Sequence, residues 1–288
     1  MSKKQIAGAV LGGIIIYLLA GPVVKTKLVD PHFQNQPSTL KEAVDNALLG
    51  AKGVYGISIK DLKTGETYSF NEDRIFEAGS LYKIWVLLTA FEQIEKGELK
   101  EDQVLSQDIA VLNRKFNIAS ESAELREGVI SLTIKEAMQQ MITISHNYAA
   151  LLLTEKVKIS KVADFLKRHK FNDSIVGQPP KTTPKDTALF LEKLYKGELS
   201  NGENTQRILD LLKKQQLNEG LPKYLPKEAG VAHKTGEIGW FKHDAGIVFL
   251  DGREYIIVVM SESDSPSGAQ ERIAEISKAV YEYFSKTR

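Results

Sequence analysis

Strand patterns in this sequence fall at its two ends and helical patterns fill the middle, and that distribution constrains the fold more than any other feature. Residues 54–59 alternate apolar and polar, a turn follows from Asp61 to Gly65, and 66–70 read as a second strand, together a hairpin. Near the other end 231–236, 245–250 and 255–260 read as three more strands, with Gly252 in the tight turn before the last. From about 99 to 226 the periods are helical with few strand signals, most clearly at 134–144, 148–157, 160–169, 184–196 and 205–216. A short helix at 39–49 precedes the first strand and another at 269–284 closes the chain. Two early and three late strands imply that the chain ends build one antiparallel sheet. The expected class is α/β (α+β): an antiparallel sheet flanked by helices plus an inserted all-helical lobe. The sheet lobe takes 40–80 and 228–288, the helical lobe 81–227, with a cleft where they meet.

Within that layout the chain turns on Phe76-Glu77-Ala78-Gly79-Ser80-Leu81-Tyr82-Lys83, which opens a helix apolar almost all round. Such a helix is buried. The i, i+3 spacing puts Ser80 and Lys83 on one face, and burial lowers a lysine's pKa toward the range where a neutral amine can take a proton from a serine. The plain alternative is an N-cap serine with a snorkelling lysine. Ser38-x-x-Lys41 matches the same pattern and reads as an N-cap with a solvated lysine.

Lys+Arg 38 against Asp+Glu 37 leaves no field that argues for nucleic acid. The absence of cysteine excludes disulfides, thiolate metal sites and a cysteine nucleophile. No metal or cofactor is expected, and the chain is expected to be monomeric. Lysines at 3 and 4 precede an uncharged run from 6 to 24, enough to span a bilayer, and residues 25 to 38 with Pro31 and Pro37 read as a linker. The expectation is a signal-anchor or transmembrane segment over 1–30, a linker over 31–39 and a folded domain over 40–288. The domain would be extracytoplasmic and held to the cytoplasmic membrane. A cleaved signal, giving a secreted protein, and a buried soluble helix are the alternatives.

Two further patterns complete the first: Ser145-His146-Asn147 in a loop between two lobe helices, and Lys234-Thr235-Gly236 in the first late strand. Ser69-x-Asn71 and Lys63-Thr64-Gly65 also match, but lie in the early hairpin, where a turn explains them. The ordered set resembles the penicillin-recognising serine hydrolases, in particular class A β-lactamases, whose motifs are Ser-x-x-Lys, Ser-Asp-Asn and Lys-Thr-Gly. The resemblance extends to Thr182-Thr183-Pro184 and His243-Asp244-Ala245-Gly246, and covers most of the chain.

The resemblance implies a β-lactamase/transpeptidase-like fold and a set of roles. Ser80 would be the acylated nucleophile, with Lys83 helping to remove its proton. Ser145, beside Lys234, would relay a proton to the leaving amine. Asn147 would hold Lys83 and the substrate amide. The Lys234-Thr235-Gly236 strand would bind the substrate, its carboxylate on Lys234 and Thr235. The backbone N–H groups of Ser80 and Glu237 would form the oxyanion hole. Lys242 is a further candidate for carboxylate binding, or a solvated strand lysine.

Three departures bear on the transfer: His146 stands for the usual aspartate, Glu237 for a small residue, and 171–180 lacks the glutamate that activates the deacylating water in class A enzymes. Asp173 is the carboxylate available there, and it reads as a turn residue. The expected function is hydrolysis of β-lactam amides through an acyl-Ser80 intermediate, with slow deacylation. A cell-wall D,D-carboxypeptidase or transpeptidase acting on peptide is the alternative, and a membrane-tethered β-lactam or peptide sensor the alternative of another class.

Overall fold

The computed structural model describes residues 37–287. The anchor expected over 1–30 and most of the linker lie outside the described residues. Among the described residues no helix is long and apolar enough to cross a membrane.

The chain runs α1 (Leu40–Leu48), β1 (Val54–Asp61), β2 (Thr67–Phe70), β3 (Phe76–Glu77), a 3-10 turn (Gly79–Tyr82) and α2 (Lys83–Glu95). Next come β4 (Val104–Asp108), α3 (Ile109–Lys115), β5 (Val129–Thr133), α4 (Ile134–Thr143), α5 (Asn147–Val157) and α6 (Ile159–Arg168). Then β6 (Lys181–Thr182), α7 (Pro184–Tyr195) and α8 (Gly202–Lys213) lead to β7 (Gly230–Ile238), β8 (Phe241–Leu250), β9 (Arg253–Glu262) and α9 (Pro266–Lys286).

The two ends of the chain do meet. Five antiparallel strands form one sheet in the order β2-β1-β9-β8-β7, so the late strand β9 pairs with the early strand β1, Ile57 opposite Val259. Because the pleat alternates side chains between faces, central β9 serves two cores. Tyr255, Ile257 and Val259 pack with Val44 of α1 and Ile273 and Val280 of α9, while Ile256, Val258 and Met260 join the core of the helical side. Both faces being covered, the strand reads as a continuous apolar run.

Two features differ from the sequence reading. The lobe expected to be all-helical carries a two-stranded ribbon, β4 paired with β5, Leu105 opposite Leu132. Its strands are short and half exposed, with Val104 and Val129 facing solvent, which leaves too little apolar alternation to register as strand. Helix α7, within the segment assigned to that lobe, packs against the sheet instead: its first residue Pro184 lies where a Cβ on Gly56 of β1 would come within 2.7 Å.

The surface pattern Ser38-x-x-Lys41 is part of a helix start, but the cap is Thr39, whose hydroxyl accepts from Glu42 N. Lys41 pairs with Asp45 at the surface. Lys63 and Thr64 of the early decoy lie in the β1–β2 turn, their N–H groups donating to Asp61 Oδ1 at 2.7 and 3.0 Å.

Candidate active site

Ser80 sits in the 3-10 turn and Lys83 is the first residue of α2. A 3-10 turn eclipses i and i+3, which keeps the two on one face. Behind them α2 is buried on all sides, Ile84 through Phe91 without interruption, as its composition required.

The turn is pressed against the edge strand β7 by two glycines. A Cβ on Gly79, whose φ is +49°, would come 2.7 Å from Glu237 N, and one on Gly236 would come 2.7 Å from Ala78 O. No other residue type allows this approach of two backbones. It brings the Gly79–Ser80 backbone beside that of Glu237. His243 of β8 fixes the segment just ahead. Its Nδ1 accepts from Ser261 N at 3.1 Å, so the proton is on Nε2, which donates to Glu77 O at 2.8 Å. Burial pulls this imidazole down to about 4, so it stays neutral at working pH.

The α4–α5 loop brings the second pattern to the first. Ser145 has φ +56°, a left-handed conformation that costs a non-glycine residue about 1–3 kcal/mol and clusters at functional sites. Next to it His146 caps α5, its Nδ1 accepting from Ala149 N at 3.1 Å. The imidazole thus supplies the acceptor an aspartate would, which is why the loop tolerates the departure.

These elements converge on two buried amines. Lys83 Nζ donates to Ser145 O at 2.6 Å, Ser145 Oγ at 3.1 Å and Asn147 Oδ1 at 2.6 Å. Lys234 Nζ reaches the same Ser145 Oγ at 3.0 Å and Thr235 O at 2.8 Å. Burial lowers Lys83 to about 7, against the opposing pull of Glu124. Burial also lowers Lys234 well below the ordinary lysine range; the Lys83 charge pushes the same way and Asp244 opposes. The hydrogen bonds of Lys83 run to Ser145 and Asn147 rather than to Ser80, whose hydroxyl makes no side-chain hydrogen bond among the described residues.

Lys242 does not stand free. It lies opposite Glu237 in the β7–β8 register and is ion-paired with it. Lys234, Thr235 and Gly236 lie in β7, the first of the three late strands, and Thr183 caps α7 ahead of Pro184.

Asp173 is exposed, and its backbone N–H donates to Asp186 Oδ2 at 2.8 Å, the turn role its sequence suggested. A cavity of about 510 Å³ lies between this loop and the helical side, walled by Tyr82, Val86, Leu151, Val176 and Ile238 among others. The carboxylate in its lining is Glu77.

Sequence reasoning missed Glu124. It belongs to the irregular segment between α3 and β5, and its carboxylate accepts from Asn147 Nδ2. No spacing rule connects it to the motifs; a charged residue in a polar loop looks like any solvated side chain. Among the described residues no cluster of His, Cys, Asp and Glu fit to hold a metal ion is found.

A family model described as "Beta-lactamase enzyme family" matches residues 39–284. Among curated proteins the chain is similar to beta-lactamase VEB-1 of Pseudomonas aeruginosa, 24% identical over 286 residues, covering 89% of this chain and 93% of that one. It is also similar to the extended-spectrum beta-lactamase PER-1 of the same organism, 24% identical over 280 residues, covering 86% and 88%. Among solved structures it resembles PBP-A, with a TM-score of 0.76 at 24% identity over 86% of this chain and 96% of that one. A beta-lactamase from Sphaerobacter thermophilus DSM 20745 gives 0.75 at 24% identity, covering 86% and 97%. At these identities the structural likeness speaks to the fold.

Proposed function

The chain belongs to the beta-lactamase enzyme family and is a serine hydrolase of β-lactamase type, and from that premise we propose that it opens β-lactam amides through an acyl-enzyme on Ser80. The observation that carries the reading is the convergence of Lys83 and Lys234 on one hydroxyl, Ser145 Oγ, at 3.1 and 3.0 Å. An amine that is half neutral near pH 7 is a competent base for the Ser80 hydroxyl. The three hydrogen bonds that Lys83 Nζ donates use all three hydrogens of the ammonium; on losing one the amine keeps two hydrogens and gains a lone pair, and Ser145, a hydroxyl, can accept from Lys234 while donating onward. In this reading Lys83 takes the Ser80 proton as Oγ attacks the carbonyl. The oxyanion meets the Ser80 and Glu237 N–H groups, and Ser145 passes its hydroxyl proton to the departing nitrogen while taking back from Lys83 the proton that left Ser80. Thr235 and Lys234 hold the substrate carboxylate, and Asn147 the acyl amide.

Deacylation needs a second base, and the loop 171–180 supplies none directed at the nucleophile: Asp173 is exposed in a turn, and Gln178 is engaged with Asn117 and Phe116 O. We therefore propose fast acylation and slow release. The same observation favours, as second reading, a D,D-peptidase acting on a cell-wall peptide that the β-lactam imitates. The extracytoplasmic location remains our proposal on the strength of the apolar run at 6–24.

Intact mass with benzylpenicillin tests this. The wild type is expected to gain the full penicillin mass on one residue, located to Ser80 by peptide mapping, and Ser80→Ala to remain folded and unmodified. An adduct on the alanine variant removes the assignment.

A further inference from the structure

Glu124 lies in the 116–128 crossing between α3 and β5, yet it is held in place. The backbone of the next residue, Leu125, is clamped from both sides. Tyr148 OH donates to Leu125 O at 2.6 Å and accepts from Leu125 N at 3.1 Å, and Asn113 Nδ2 donates to the same carbonyl at 2.8 Å. Tyr148 and Asn113 are buried, and Tyr148 is the neighbour of Asn147 on α5. The crossing is therefore pinned to the helix that carries the site amide.

Asn147 is used at both ends. Its Oδ1 accepts from Lys83 Nζ at 2.6 Å, and because that end is committed to a donor, Nδ2 must point the other way. There it meets the Glu124 carboxylate. A hydrogen bond to an ionised acceptor is stronger than one to a neutral group.

We propose that Glu124 is a positioning residue of this active site: its carboxylate holds the Asn147 amide in the orientation that grips Lys83, and a substrate whose acyl-amide carbonyl reaches Asn147 takes that carboxylate's place. The substrate half of the inference rests on the acyl-transfer reading above. Two consequences follow from the geometry. Glu124 favours the charged form of Lys83, opposing burial, while the Lys234 amine shares Ser145 Oγ with it. α5 presents the uncharged Asn147 to the same amine, β7 presents Lys234, and the crossing presents Glu124. The second consequence is competition: an acyl amide and Glu124 want the same Nδ2.

The experiment uses Glu124→Gln and Glu124→Ala. Glutamine keeps an acceptor oxygen and removes the charge; alanine removes both. The Lys83 midpoint is read in the resting protein by NMR titration of 13Cε-labelled lysine, assigned with Lys83→Arg. It is expected to fall by about half a unit or more in both variants. An unchanged midpoint in Glu124→Gln overturns the link to Lys83, whatever the protein does with penicillins. Acylation is then compared for benzylpenicillin, which carries an acyl amide, and 6-aminopenicillanic acid, which carries a free amine. The ratio of the two rates is expected to rise severalfold in Glu124→Ala and to change little in Glu124→Gln. An unchanged ratio in Glu124→Ala overturns the competition. If neither compound acylates the wild type, the acyl-transfer reading fails and with it the competition, while the titration still decides the hold on Lys83.

Discussion

Glu237 and Lys242 face each other directly across the β7–β8 hairpin and form an ion pair, so a carboxylate of the protein itself occupies the lysine that the sequence offered as a further candidate for carboxylate binding. Lys242 is mostly buried (13% exposed) while Glu237 is open to solvent at 65%. Such a pair is worth about 0–1 kcal/mol. Glu237→Ala keeps the backbone N–H and frees the lysine. It is expected to raise the second-order rate of acylation by a carboxylate-bearing penicillin by about two- to fivefold, with the gain shrinking at high salt. Stopped-flow labelling at two ionic strengths checks it; a slower variant would mean that Glu237 helps substrate rather than excluding it.

Gly79 is the position where the turn that carries Ser80 meets β7. Gly79→Ala puts a Cβ 2.7 Å from Glu237 N at a φ of +49°. The turn must move off the strand, and acylation is expected to fall by about 10²–10³-fold, the effect of losing one oxyanion donor. Gly65→Ala is the control, since its φ of +78° carries the same kind of strain with no atom within 4 Å. It is expected to lose about 1 kcal/mol of stability and no acylation. Equal loss of activity in both would refer the effect to stability alone.

Acylation is expected to rise with pH through a midpoint near 7, because burial brings Lys83 to about 7 and the neutral amine is the base in the proposed mechanism. The sign for stability is the same. The unfolded lysine keeps its proton to its ordinary value of 10.5 while the native one releases it near 7. Between those values the unfolded chain binds more protons, and stability from this group rises with pH. Lys83→Met is expected to abolish acylation and to flatten that part of the rise. Urea midpoints at pH 6 and pH 9 for both proteins measure it, and parallel slopes would contradict the burial argument.

The benzylpenicillin adduct is expected to persist for minutes or longer, since a general base is worth about 10²–10⁴ in rate and the loop 171–180 directs none at Ser80. A mass time course after removal of free drug reads its lifetime. Rapid turnover with no visible adduct would call for another base, with Asp173 and Glu237 the first two to substitute.

Removal of residues 1–29 is expected to leave a soluble protein that labels at the full-length rate, since the described residues from 37 onward form one compact unit by themselves. Aggregation or loss of labelling on truncation would mean that the apolar run belongs to the core.

What the sequence determined by itself is whatever a short backbone period encodes. The one-turn spacing of Ser80 and Lys83, the all-round apolarity that buries Lys83, the alternation that places β1 and the short apolar-rich runs that place β7, β8 and β9 were legible because each is written in a few consecutive residues. So were the positions of Ser145, Asn147 and Lys234, through motif order. The ribbon of β4 and β5 was not, because half its residues face water and leave no pattern. Contacts between distant segments were decided by the tertiary structure alone. Lys83 grips Ser145 and Asn147, 62 and 64 positions away, instead of Ser80 three positions back. Asn147 takes Glu124 from a loop 23 residues earlier. Lys242 turns to Glu237 because the hairpin register sets them opposite. A polar side chain bonds whichever partner the packed backbone brings within about 3 Å, and that partner is chosen by how helices and strands stack rather than by any interval in the chain.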